Sequence, residues 1–120
     1  MNEIKHTPGP WGISAESPTI IKQFDLMGET PVIIGSATGY TGSPFFPSEA
    51  EAVGNALHFA ASFDMAEALE LIAAEDDAAR HNGKPLLTSG VRLALDAALI
   101  KAGRKAAPEK MRHITIAGVD

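Results

Sequence analysis

At position 48 the chain changes its period. Up to Pro47, β-branched and aromatic runs are cut every few residues by Pro, Gly, Ser or Asp; beyond it, apolar residues recur at three- and four-residue spacing. A strand-type first third followed by a helix-type remainder buries both kinds of apolar face by laying helices against a small sheet, which predicts an α+β fold. The boundary itself is sharp. Ser48 and Glu51 form the S-x-x-E capping box, with Phe46 and Pro47 just ahead to fix the entry of the chain.

The first third reads as three short strands, at residues 11–14, 19–24 and 31–37. The intervals between them are too short for crossover helices, so the expected topology is an antiparallel meander. A Gly/Pro loop over residues 38–47 follows, and helices fill residues 48–103. In the first helix Ala52, Ala56, Phe59, Ala60 and Phe63 share one face, widened by Val53. Ser62 is a candidate break or bend, able to cap a second helix whose first turn carries Asp64. In that second segment Met65, Leu69 and Ile72 line one side, and Asp64, Glu67, Glu70 and Asp77 line roughly the opposite side. Asn82-Gly83-Lys84-Pro85 ends it, Gly83 suiting a left-handed C′ position and Pro85 blocking continuation. A last helix is expected from Ser89 to Ala102, capped by Thr88 or Ser89, stopped by Gly103, and carrying Val91, Leu95 and Leu99 inward. Residues 111–119, centred on His113-Ile114-Thr115-Ile116, read as a fourth strand returning to the sheet or as a frayed end. No repeat and no long linker divides the chain, so residues 1–120 are expected to form a single domain of two or three helices on the meander.

Composition excludes several classes. The 120 residues contain no cysteine, which removes disulfide scaffolds, thiolate zinc sites and thiol nucleophiles. Apolar residues make up 45% and charged residues 21%, a globular rather than a disordered balance. The first ten residues lack an apolar h-region and no run approaches the ~20 apolar residues of a membrane span, so the expected address is the cytoplasm, with no membrane partner.

The net charge of −5 is unevenly placed. Between Lys22 and Arg80 there is no lysine or arginine, yet that interval holds ten acids: Asp25, Glu29, Glu49, Glu51, Asp64, Glu67, Glu70, Glu75, Asp76 and Asp77. From Arg80 onward eight bases face only Asp96, Glu109 and Asp120. An acidic middle of this length repels phosphates, so a broad nucleic-acid surface is not expected. A local basic patch near Arg104, Lys105, Lys110 and Arg112 stays open.

Two segments carry a likeness. His6-Thr7-Pro8-Gly9-Pro10-Trp11 spells H-T-P-G-P-W just before the first strand. Residues 55–69 are similar to N-A-R-L-I-A-A-A-P-E-L-L-E-A-L, matching outright at Asn55, Ala56, Ala60, Ala61, Glu67, Ala68 and Leu69. Together they resemble a family of small phage and prophage proteins, mostly without an assigned role. Leu57 and His58 depart from its Arg and Leu, and Phe63 stands where its helix-breaking Pro falls. What the resemblance implies is a genomic setting: an accessory protein acting by non-enzymatic binding to a host or phage protein, with counter-defence or host takeover as its purpose.

Each motif has a plain reading beside the functional one. Pro8 and Pro10 make a stiff arm that delivers Trp11, either to pin the first strand or to line a pocket. The loop Gly35-Ser-Ala-Thr-Gly39-Tyr-Thr-Gly42 before a helix N-terminus is either a connection or a cradle for a nucleotide phosphate, in which case Trp11, Gly39, Gly42 and Ser48 are the ligand-binding residues. It lacks the Lys-Ser/Thr of a Walker loop, and Glu49 and Glu51 oppose an anion. Glu51, Asn55, His58 and Ser62 form a polar stripe without H-x-x-x-H or H-E-x-x-H spacing, so no metal and no cofactor are expected. The acidic residues Asp64, Glu67, Glu70 and Asp77 are either the solvent side of a helix or a surface for a basic partner, and they are the expected partner-binding set. Their counter-charges could come from the chain's own basic end, from a second copy in a homodimer, or from another protein. No nucleophile–base pair or ligand set supports an enzyme.

Overall fold

The computed structural model describes residues 5–108. Their backbone is an α+β arrangement of a three-stranded antiparallel sheet and two helices. The described residues group into two compact units, Lys5–Glu67 and residues 68–108.

In the first unit β1 (Trp11–Ile13), β2 (Ile20–Asp25) and β3 (Gly28–Ser36) follow one another as a meander in the order β1-β2-β3. Trp11 lies opposite Gln23 and Ile13 opposite Ile21, and Ile21 in turn lies opposite Gly35. The β2–β3 register is irregular between Ile21 and Phe24, alongside the part of β3 that contains Pro31, a residue with no N–H to give a ladder. The hairpin between β2 and β3 turns on Leu26-Met27. There the Asp25 carboxylate accepts from the Met27 N–H at 2.8 Å, and Gly28 follows at φ +114°, a conformation only glycine adopts cheaply. Glu29 ties the far end of β1 to the sheet by accepting from the Ser14 hydroxyl (3.0 Å), the Ala15 N–H (3.1 Å) and Lys22 Nζ (3.1 Å). The Ala15 N–H and then Lys22 and Ser14 hold its carboxyl below the usual glutamate range.

Helix α1 (Glu49–His81) begins at the expected place, for the expected reason. The Ser48 N–H donates to Glu51 Oε1 at 2.8 Å, and the Glu51 N–H donates back to Ser48 Oγ at 3.1 Å. That reciprocal pair keeps the Glu51 carboxyl below its ordinary range. Ala52, Ala56 and Ala60, spaced by one helical turn, are buried with Ile21 and Ala37, and Trp11, Ile13 and Ile34 pack against them. Methyl side chains leave little distance between helix and sheet backbones, so a small sheet closes over them with few atoms.

Helix α1 runs 33 residues without interruption, so the break at Ser62 does not occur and two helices, not three, are present among the described residues. Ser62 Oγ donates to the Phe59 carbonyl at 2.7 Å, a back-bond made inside a helix rather than a cap. Phe63, standing where the resembled pattern has proline, keeps its N–H for the helix. Its ring sits 5.6 Å from Trp11 and 5.5 Å from His6. A Cβ on Gly9 would come within 2.3 Å of that ring, which is why this position of the arm lacks a side chain.

In the second unit the C-terminal part of α1 packs against α2 (Ser89–Lys101). Gly83 closes α1 at φ +79°, with the Lys84 N–H on the Ala79 carbonyl and the Gly83 N–H on the Arg80 carbonyl. Gly103 closes α2 in the same way at φ +75°, through the Arg104 and Gly103 N–H groups on Leu99 and Ile100. Thr88 is the N-cap of α2, its hydroxyl accepting from the Val91 N–H at 3.3 Å. Leu95, Leu99 and Ala73 form the apolar centre, with Leu69 and Leu87 partly buried against it.

Several inward assignments differ from expectation. Met65, Ile72, Val91 and Phe59 are about half exposed, and the buried positions of this part of α1 are Ala66, Ala73 and Asp76 instead of the larger Met65 and Ile72. The expected fourth strand at 111–119 lies outside the described residues.

Candidate functional site

The expected partner-binding residues lie along α1, and the structure gives them unequal roles. Asp64 is exposed. Glu67 is also exposed. Glu70 and Asp77 are held by the chain's own bases: Glu70 Oε1 receives Arg104 Nη1 at 2.7 Å, and Asp77 Oδ1 receives Arg92 Nη1 at 2.6 Å. Of the three sources of counter-charge open in the sequence, the basic end of the same chain supplies these two.

Between them sits a residue the sequence reading passed over. Asp76 is fully buried, and every bond to it is directed. Its Oδ2 takes Arg80 Nε at 2.6 Å and Arg92 Nη1 at 2.8 Å, while Oδ1 takes the Leu86 and Leu87 N–H groups at 2.9 and 3.0 Å. The Arg80 hydrogen bond, helped by Arg92 and the two N–H groups, holds the carboxyl far below the usual aspartate range although burial opposes ionisation. Arg92 also reaches Asp96 at 3.0 Å, and its contacts to Asp77, Asp76 and Asp96 raise its pKa further. Burial works against an ionised Asp96, but Arg92 and Lys105 hold its carboxyl below the ordinary value. A carboxylate so fully bonded has no lone pair to spare for a substrate proton, and the cluster is a structural clasp joining α1, the 82–88 loop and α2. The signal that would have found it is Asp76 four residues before Arg80, an i,i+4 pair on the side facing α2.

Because Arg92 and Asp96 turn toward this clasp, the outer side of α2 is left to apolar residues. Val91 and Leu93 are 53% and 60% exposed, beside exposed Ala94, Ala97 and Ala98. In the first unit the hairpin tip is Leu26-Met27, fully solvent-facing, and Phe45 in the 38–47 loop is 87% exposed. Turn tips ordinarily carry Asn, Asp or Gly, so an apolar pair there is an unusual choice.

The alternative ligand-binding residues do not line one cavity. Trp11 lines a cavity of about 260 Å³ with Ile21, Ile34, Phe59, Ser36 and Ser62, and Gly35 forms part of its wall. Gly39 lines a second space of about 420 Å³ with Thr38, Glu49 and Val53, and Ser36 borders both. Gly42 and Ser48 line neither. Gly39 is explained by packing: a Cβ there would fall 2.6 Å from Ala52 Cβ and 2.8 Å from the Ser48 carbonyl. Gly42 holds a turn at φ +94°. At the start of α1 the Glu49 N–H is taken by Thr41 Oγ1 and the Glu51 N–H by Ser48, and Glu49 puts a negative charge at the mouth. An anion would have to displace these groups.

The stripe Glu51, Asn55, His58 and Ser62 is solvent-facing along its length. Among the described residues no three His, Asp or Glu side chains converge to hold a metal ion, and no helix is long and apolar enough to cross a membrane. No protein-family model, no curated protein and no solved structure matches the chain.

Proposed function

We propose that the chain is a phage- or prophage-encoded accessory protein that acts by binding a host or phage protein, without catalysis, in a counter-defence role. The observation that supports a binding role is apolar side chains spent on solvent where charge was available. On α2 the charged residues Arg92 and Asp96 face the clasp, with side-chain exposures of 13% and 22%, while Leu93 and Val91 face outward. The tip residues Leu26 and Met27 make the same choice. Such residues cost solubility in isolation and are the usual anchors of an interface. The phage setting rests on the likeness of residues 6–11 and 55–69 described above.

The acidic residues of α1 then take a secondary part. With Glu70 and Asp77 engaged internally, Asp64 is the member best placed to steer a basic partner. Affinity capture from lysate of an infected host, at low and at high salt, tests the reading. The expected result is one dominant protein that survives high salt and is lost when Leu26 and Met27, or Leu93, are replaced by serine. Capture unchanged by both sets of replacements, or no captured protein at all, would refute it.

A further inference from the structure

The partner-binding role makes no use of the cavity beside Trp11. We propose that it takes a small, neutral, planar aromatic molecule carrying a hydrogen-bond donor.

Four observations carry this. The walls are apolar and aromatic: Trp11, Ile21, Ile34 and Phe59. Trp11 is held in place before any ligand arrives, since its Nε1–H donates to the Thr7 carbonyl at 3.1 Å and its ring rests 5.6 Å from Phe63. Its polar end is therefore spent and it offers ring surface alone. Second, no lining residue is ionisable, so nothing in the wall compensates a charged ligand, and the net charge of −5 works against an anion.

Third, the polar groups at the cavity are two serine hydroxyls with acceptor capacity. Ser62 Oγ uses its proton on the Phe59 carbonyl, which leaves its lone pairs for a donor. Ser36, itself exposed, brings the second hydroxyl to the lining. Fourth, the volume of about 260 Å³ exceeds the roughly 150 Å³ that suffices for benzene in an apolar protein cavity, so a fused bicyclic ring fits. Phe59, half exposed on an otherwise well-buried helical face, forms one wall that a ligand would cover.

Gly35 gives a clean way to close the cavity. It lies in β3 opposite Ile21, its φ is not in the left-handed region, and a Cβ built there meets nothing within 4 Å. Gly35→Val therefore has open space for its Cβ at the wall, and valine suits a strand.

The test uses indole as probe and the full chain labelled with nitrogen-15. Trp11 is the single tryptophan, so the protein gives one indole N–H resonance, which reports on the cavity wall. The expected result is a saturable shift of that resonance and of the Gly35 and Ser36 amides. In Gly35→Val, with the rest of the spectrum preserved, binding should weaken by about tenfold or more, a loss of about 1.4 kcal/mol. Indole-3-acetate should bind more weakly than indole, because no cation lines the cavity. Absence of any saturable shift, or equal affinity in Gly35→Val, would overturn the assignment. Loss of protein capture in Gly35→Val without any indole binding would give the cavity to a partner's side chain and overturn it equally.

Discussion

Asp76 shows what a single buried carboxylate commits a small fold to. An ionised group with no exposed surface survives only if each oxygen is satisfied, and here two arginines and two backbone N–H groups do so. The sign of its pH dependence follows. Its folded-state pKa lies below the ordinary aspartate value of 3.8, so its contribution is fully present above that value and is lost as pH falls below it. Thermal melts are expected to be flat in this respect from neutrality down to about pH 4 and then to fall steeply. Asp76→Asn should lower the melting temperature at neutral pH and flatten the acid limb, since Asn keeps an acceptor for the loop N–H groups but no charge for Arg80 and Arg92. Asp76→Ala should be worse, since Arg80 Nε and both loop N–H groups lose their acceptor while Arg92 keeps only Asp77 and Asp96 as carboxylate partners. An acid limb unchanged in Asp76→Asn would mean that other carboxylates govern it.

At the scale of the elements, Ser48 and Ser62 make a useful contrast, because both precede acidic residues and both read as caps. Only Ser48 is one. Ser48→Ala should cost about 1 kcal/mol, whereas Ser62→Ala should change stability by less than about 0.5 kcal/mol, both read from urea unfolding of the helical circular dichroism signal. Equal costs would show that a helix does begin at Ser62. The three strands, the capping box, Gly83, Gly103 and Thr88 were all legible because each depends on residues within a few positions of itself. The inward face of α1 was legible in its first part, through Ala52, Ala56 and Ala60, and not in its later part. Its first part buries alanines against the sheet, while its later part buries Ala73 and Asp76 near α2, with Leu69 only partly buried beside them. A periodicity read by hydrophobicity alone favours Met65 and Ile72 and has no way to place a charged residue inside. Of the candidate residues, the acidic set was found but its internal partners were not, since Arg92 and Arg104 lie far along the chain from Asp77 and Glu70.

On the scale of the whole molecule, the basic end supplies counter-charge to Glu70, Asp76 and Asp77 of the acidic middle, so these three are not a surface waiting for a partner. Glu70 meets Arg104, Asp77 and Asp76 meet Arg92, and Lys105 meets Asp96. Arg92 is only 13% exposed and Arg104 10%, so these pairs are screened less by salt than exposed ones. Reversing Glu67, Glu70 and Asp77 to lysine together would therefore do more than change a surface. It would set a lysine beside Arg92 and another beside Arg104, and the expected outcome is a melting temperature lowered by several degrees, with weaker binding as a by-product of unfolding. Asp64→Lys lies outside those pairs and should melt like the parent chain. Calorimetric scans of the two variants at low salt decide between the views: a triple variant as stable as the parent would show that the internal pairs carry little, and would restore the acidic side of α1 as a surface free to meet a basic partner. If the triple variant is destabilised and Asp64→Lys is not, partner capture by Asp64→Lys becomes the measurement of electrostatic steering, uncontaminated by loss of the fold.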